Sequence, residues 1–383
     1  MNGDVQFFFA RCIAAIAAVL LSATPLVQQN TARLEQDRAW QIRHVAKLEK
    51  YVAAGKVTEI KESAFFEGNL KAALRGGLKF NELRYVATHN SYQNESVPEL
   101  QKLYGLANRL TFGAVPENDG EFQSAPLWKQ LDQGVRSLEL DIETMYTGGE
   151  TSFVCLHSPV LDMTTNCYDL ALALQEIRLW SDSHPKHLPI TIIIEPKVAM
   201  LPLQDMDFFT RKNANALDAL LRRVLGKTLL TPADMLRDYA NFAEMRANDD
   251  WLRVDAMLGS VLVLLHSTPA TNAYILQDQS LRSQAMFPML RTYEHKRPMA
   301  SFLIENDPEK LKGRRSDLID SEKCIVRTRA DSFGNPDKAQ RMAALDSGGQ
   351  IMSTDYPPLK GEKNPFSFAL SGAKKNYLLS ALD

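Results

Sequence analysis

The chain has 383 residues, 45% hydrophobic and 23% charged, ordinary globular proportions that leave enough apolar surface for a sizeable core and exclude bulk disorder. Lys and Arg total 44 against 46 Asp and Glu, a net charge of −2. That balance excludes a global field recruiting nucleic acid, confines any phosphate affinity to a local site, and sets no oligomeric state.

After Arg11 comes the apolar run CIAAIAAVLL, Cys12 to Leu21, then the small-residue segment SAT at 22–24. This follows the template of a signal peptide, expected over residues 1–28. The run falls short of the ~20 apolar residues that span a bilayer, although the FFF at 7–9 would lengthen an uncleaved anchor. An exported protein, periplasmic or secreted, is expected. Removal of Cys12 leaves Cys155, Cys167 and Cys324, an odd set read as buried free thiols. Pairing of Cys155 with Cys167 in an oxidising compartment is the alternative. Residues 29–77 are charged, and Ile42, Val45, Leu48 and Val52 recur at helix spacing, so a helical N-terminal extension is expected there.

From residue 78 to 383 the rhythm changes to short β-branched runs alternating with amphipathic segments, the pattern of βα units. Strands are predicted at 84–90, 135–142, 152–157, 190–196, 260–266, 299–305, 324–329 and 349–355, about the number that closes a parallel (β/α)8 barrel of the TIM type. Helical stripes at Leu170, Leu174, Ile177 and Trp180, and at Leu217, Leu220, Leu221, Val224 and Leu225 before Gly226, fill the intervals. Several strands end in polar or ionisable residues, and barrel enzymes carry their chemistry at those ends.

The first strand runs into Thr88-His89-Asn90-Ser91-Tyr92, where an acid/base candidate precedes an amide oxygen able to bind a hard cation. Glu139 and Asp141 stand two apart on the second strand and share a face. Salt bridges to Arg136 or Lys197 and a bound metal are both open readings for that pair. Glu195 ends the apolar run Ile192-Ile193-Ile194 and needs a partner. One hard divalent ion answers all three acids, and the oxygen set Asn90, Glu139, Asp141 and Glu195 suits calcium or magnesium rather than zinc. His157, at the end of FVCLH, supplies a second imidazole, so that one ring can remove a proton while the other delivers one.

At these residues the sequence resembles the calcium-dependent phosphoinositide phospholipase C family, in its compact secreted bacterial and fungal branch. THNSY, LELD, CLH, HLPITIIIEPK, SLRSQAMF at 280–287, IVRTRAD at 325–331 and GGQIMSTDYP at 348–357 carry the likeness across residues 78–358. The resemblance implies catalytic roles for His89 and His157, their order of action left open, and a Ca2+ site of Asn90, Glu139, Asp141 and Glu195. It implies substrate contacts at Lys197, Arg327, Arg329 and Asp355, with a structural ion network as the alternative for the two arginines. His266 stands where an acidic residue is expected in this branch. The implied reaction is attack of an inositol 2-hydroxyl on the adjacent phosphodiester of a phospholipid, with transient membrane-surface contact, expelling diacylglycerol. A glycerophosphodiester phosphodiesterase, a sphingomyelinase-D-like hydrolase and a catalytically silent binding barrel are the rivals.

The leader generates a first prediction: exported protein begins between residues 24 and 30, as intact mass will show. Met1 retained on a membrane-bound product replaces the signal peptide with an anchor.

Overall fold

A computed structural model describes residues 24–94, 109, 124–157, 163–197, 206–207, 209–331, 337–357 and 380–381. Eight strands close a parallel barrel in the order β1 (Leu83–Thr88), β2 (Ser137–Thr147), β4 (Ile190–Pro196), β6 (Val261–Leu265), β7 (Phe287–Arg291), β8 (Phe302–Ile304), β9 (Ile325–Arg329) and β10 (Ile351–Thr354), and β10 pairs back to β1. The fold is a TIM-type barrel. Three further strands lie outside this ring and run antiparallel: β3 (Glu150–Cys155) and β5 (Met206–Asp207) on β2, and β11 (Ser380–Ala381) on β1.

Two strand expectations are corrected. The predicted strand at 152–157 belongs to β3, which forms a hairpin with β2. Gly148 and Gly149 both have positive φ, 62° and 89°, and make a tight turn that reverses the chain. A parallel neighbour requires a crossover of a dozen or more residues, which this interval cannot hold. The barrel strand it displaced is β7, read in the sequence only as the end of SLRSQAMF; its Pro288 and Met289 weaken the β-branched pattern, yet the strand is buried on both sides by its parallel neighbours.

Alternation divides the strands between two cores. Leu138, Leu140 and Ile142 of β2, Ile192 and Ile194 of β4, and Val263 and Leu265 of β6 pack beneath the helices Leu170–Ser183 and Arg211–Leu225, whose predicted stripes face this core, with Val224 partly buried and the rest buried. The opposite faces, including Ile193, Leu262, Leu264, Phe287 and Phe302, join Phe80 and Trp251 in the second core. Glu139, Asp141, Glu143 and Glu195 therefore face away from the helix layer because period-two geometry leaves them no other side.

The N-terminal helix Thr24–Ala53 packs on Leu170–Ser183, and its first residues fall within the expected leader, the rest of which lies outside the described residues. Of the expected stripe, Val45 is buried and Leu48 and Val52 are partly buried against the core, whereas Ile42 is 51% exposed and the polar Asp37 and Gln41 are buried. Gln41 bonds both the amide and the carbonyl of Asp169, and Asp37 accepts from the Thr165 amide, so hydrogen bonds join apolar contact in fixing that face. Cys155, Cys167 and Cys324 are buried free thiols.

Gly259 precedes β6 with φ of +80°, and a Cβ there meets the Pro185 carbonyl oxygen at 2.6 Å. Gly259→Ala is expected to destabilise the barrel by about 1–3 kcal/mol, measured by denaturant unfolding, because neither the backbone sign nor the carbonyl can yield cheaply.

Candidate active site

The strand ends bring His89, Asn90, Glu139, Asp141, Glu195, Lys197, Arg327, Arg329 and Asp355 to one end of the barrel. Parallel pairing explains the proximity. Asp141 and Glu195 are register partners on β2 and β4, and Thr88 pairs Thr354, which sets His89 and Asp355 side by side one residue further on. Asn90 turns the chain with φ of 45°, a left-handed conformation that Asn tolerates.

Two cations already answer the acids. Arg327 Nη2 lies 2.7 Å from Glu139 Oε2 and 3.1 Å from Ser353 Oγ, with both charged side chains only 2% exposed. Lys197 Nζ bridges Asp141 Oδ2 at 2.9 Å and Glu195 Oε1 at 3.1 Å. The Tyr92 hydroxyl also donates to Asp141 Oδ2, at 3.0 Å. The salt-bridge reading of the acids thus holds in this state, with Lys197 rather than Arg136 as partner of Asp141; Arg136 pairs Glu62 instead.

Electrostatics follow from that packing. Burial drives the Glu139 carboxyl upward, but Arg327, together with the other basic side chains around it, outweighs burial and holds Glu139 below the usual carboxylate range. Burial also pushes Asp141 up, more than Lys197 pulls it down, whereas His266 and Lys197 outweigh burial at Glu195 and hold it ionised. The neighbouring carboxylates raise Lys197 despite its burial, so it stays charged.

His89 Nδ1 lies 2.6 Å from Asp355 Oδ1, and Arg329 Nη2 lies 3.3 Å from the same nitrogen and 3.4 Å from Asp355 Oδ2. A proton on Nδ1 donated to Asp355 fits the shorter contact, and Arg329 then serves the other carboxylate oxygen. Burial and Arg329 push the His89 imidazole well below its ordinary pKa against the pull of Glu139, so the ring is neutral. Asp355 is itself fixed from below: its amide donates to Asp331 Oδ1 at 2.8 Å, and Thr354 Oγ1 donates to Asp331 Oδ2. His157 is partly buried, follows β3, and is near enough to lower the Asp141 pKa. The hairpin, rather than a barrel strand, delivers it.

Several oxygen and nitrogen atoms point to a cation. Asn90 Oδ1 and Asp141 Oδ1 are buried with no hydrogen-bond partner among the described residues. One ligand atom each of Glu139, Glu195 and His266 lie within 4.8 Å of one another. His266 follows β6 beside Glu195, its Nε2 3.8 Å from Glu195 Oε2, and burial lowers its pKa against the pull of Glu195 and Glu139. The residues fit a divalent ion: carboxylates predominate, the orphaned oxygens need a partner, and all sit at the enzyme-bearing end of the barrel.

A family model described as Ca2+-dependent phosphoinositide phospholipase C matches residues 78–154 and 150–377, most of the chain. The chain belongs to that family. It is accordingly a phosphoric diester hydrolase of the phospholipase C type. Among solved structures, it is similar to the calcium-dependent phosphoinositol-specific phospholipase C of a Gram-negative Pseudomonas species, at 20% identity over 79% of this chain and 97% of that one, with a TM-score of 0.51. It is also similar to the Ca2+-dependent phosphatidylinositol-specific phospholipase C of Streptomyces antibioticus, at 19% identity over 73% and 95% of the two chains, with a TM-score of 0.50. These likenesses establish the shared fold. No curated protein sequence matches the chain.

Sequence reasoning missed three members of the constellation. Tyr92 stood inside THNSY and Asp331 inside IVRTRAD, but neither had a role until tertiary packing placed it against Asp141 or Asp355. Glu143 continues the alternation of Glu139 and Asp141, is buried, and has an Oε1 without a hydrogen-bond partner among the described residues. Burial, with Asp141 adding to it and Lys197 opposing, raises its pKa from 4.5 to about 7. The folded state therefore binds this proton more tightly, and its stabilising contribution, full below about pH 4.5, is lost as pH rises through about 7. With chelator present, Glu143→Gln is expected to melt above the parent at pH 8 and to converge with it near pH 5. An equal offset at both values removes the ionisation argument.

Proposed function

We propose that this family member cleaves phosphatidylinositol-type phospholipids in a calcium-dependent reaction, releasing diacylglycerol and an inositol phosphate, cyclic or open. The observation that carries this reading is the neutral His89, oriented by Asp355, beside a cluster of buried carboxylates and orphaned oxygens. Asn90, Glu139, Asp141 and Glu195 are the proposed calcium ligands. Calcium held there supplies a fixed positive charge that lowers the pKa of a coordinated hydroxyl and offsets charge on phosphoryl oxygens.

Asp355 holds the His89 proton on Nδ1, which leaves Nε2 as the basic atom to accept a proton from the attacking inositol hydroxyl. In this reading His157, which follows the hairpin, delivers a proton to the departing diacylglycerol oxygen. Arg329 neutralises Asp355, and its charge close to His89 favours a nearby phosphate. Lys197 and Arg327 neutralise the acids and become available to phosphate oxygens when those acids take a metal. The family match favours this chemistry over glycerophosphodiester or sphingomyelin cleavage, and a silent barrel has no need to bury so many unpaired oxygens. Action at a membrane surface after export completes the proposal. No helix among the described residues is long and apolar enough to cross a membrane.

Phosphatidylinositol is expected to be hydrolysed with calcium and spared in chelator, with glycerophosphoinositol and sphingomyelin turned over far more slowly. His89→Ala and His157→Ala should each reduce turnover by at least ~10²-fold while calcium affinity in calorimetry stays near the parent value. Folded variants that retain full turnover make both histidines structural.

A further inference from the structure

His266 is the one nitrogen donor among the grouped atoms. One of its ring nitrogens, together with an oxygen each of Glu139 and Glu195, falls within the 4.8 Å span that a single ion bridges. The side chain is nine-tenths buried, its Nδ1 has no hydrogen-bond partner among the described residues, and its Nε2 faces Glu195 Oε2. A buried imidazole nitrogen without a partner costs free energy unless something at the site takes it up. The other ring nitrogen, Nε2, faces the Glu195 carboxylate at 3.8 Å, too long for a hydrogen bond.

The other contacts of the two carboxylates leave room for this arrangement. Arg327 occupies Glu139 Oε2, and Lys197 occupies Glu195 Oε1, whereas the imidazole contact is to Glu195 Oε2. The Glu195 oxygen nearest His266 is therefore not the one held by lysine. Two carboxylates and one imidazole form a mixed oxygen and nitrogen set. Such a set gains little for calcium, which favours oxygen, and gains substantially for borderline divalent ions such as zinc, which accept imidazole and carboxylate together.

We propose that His266 is a ligand of the metal centre and widens its selectivity, so that the centre binds zinc-class divalent cations through Glu139, Glu195 and His266 in addition to calcium through its oxygen ligands. This rests on the metal-centre reading above. The hard and borderline ions share Glu139 and Glu195 and are separated by the third group. Calcium draws on Asn90 and Asp141, whose orphaned oxygens suit it, and a zinc-class ion draws on the imidazole.

Calorimetric titration of the chelator-stripped full chain with Zn2+ and, separately, with Ca2+ tests this in the parent, His266→Gln and Glu139→Gln, each checked for native circular dichroism. His266→Asn replaces His266→Gln if the latter does not fold. Loss of the imidazole is expected to weaken Zn2+ by at least ~10-fold and to move Ca2+ by less than about 3-fold, while Glu139→Gln weakens both. Zn2+ affinity that survives loss of the imidazole but falls in Glu139→Gln overturns the role of His266 and leaves the metal centre standing. If Glu139→Gln changes neither ion, the metal-centre reading fails, and this inference with it.

Discussion

The ion pair between Arg327 and Glu139 is the constraint on which the mouth of this barrel depends. Both side chains are almost wholly withdrawn from water at 2% exposure, and Arg327 leads the basic groups that hold the Glu139 carboxyl low against the upward push of burial. Breaking a buried pair of this kind by removing one partner costs about 3–5 kcal/mol, because the remaining charge is stranded. The pair also spans the barrel, joining β9 to β2, so it ties the position of the acids to that of the strand that carries Arg329. Around it the remaining charges arrange themselves by necessity. Lys197 has to serve Asp141 and Glu195 together, since these are register partners on adjacent strands and neither reaches bulk water freely.

A site organised this way is poised rather than satisfied. Internal cations cover some of the carboxylate oxygens and leave Asn90 Oδ1, Asp141 Oδ1 and Glu143 Oε1 buried without partners among the described residues. A buried polar atom in that condition costs stability, which a protein retains where a ligand completes the shell. The cations that neutralise the acids in this state, Lys197 and Arg327, belong to the residue types that also pair with phosphate. A net charge of only −2 thus coexists with a dense local set of paired charges at one end of the barrel.

The histidines draw on different parts of the scaffold. His89 lies on the barrel rim with a support running inward through Asp355 to Asp331, each step a hydrogen bond from a strand end. His157 arrives from a hairpin outside the ring. The two imidazoles therefore come from the rigid rim and from an appended element, without a ninth barrel strand. The N-terminal helix contributes at a distance: Asp37 and Gln41 hold the segment around Thr165 and Asp169, which follows the hairpin and begins the helix Leu170–Ser183.

Much of this was legible without coordinates because it is local. Alternation of apolar and acidic residues placed Glu139 and Asp141 on one face, the apolar run before Glu195 demanded a partner, and strand ends rich in ionisable residues pointed to a barrel mouth. The amphipathic stripes of the two long helices were equally plain, since a 3.6-residue period needs only its own segment to be recognised. What the chain could not state in one dimension was partnership. Whether Asp141 meets Lys197 or a metal depends on register between β2 and β4, and whether Ile42 or Gln41 faces inward depends on what the helix finds at Asp169. The misplaced strand has the same origin, for β3 and β7 are both short apolar runs and only their long-range pairing tells a hairpin from a stave. Periodicity therefore determined the elements and the residue types at their ends, while tertiary structure decided which buried charges meet, because a charge out of water is governed by the nearest opposite charge in space and not by its neighbours along the chain.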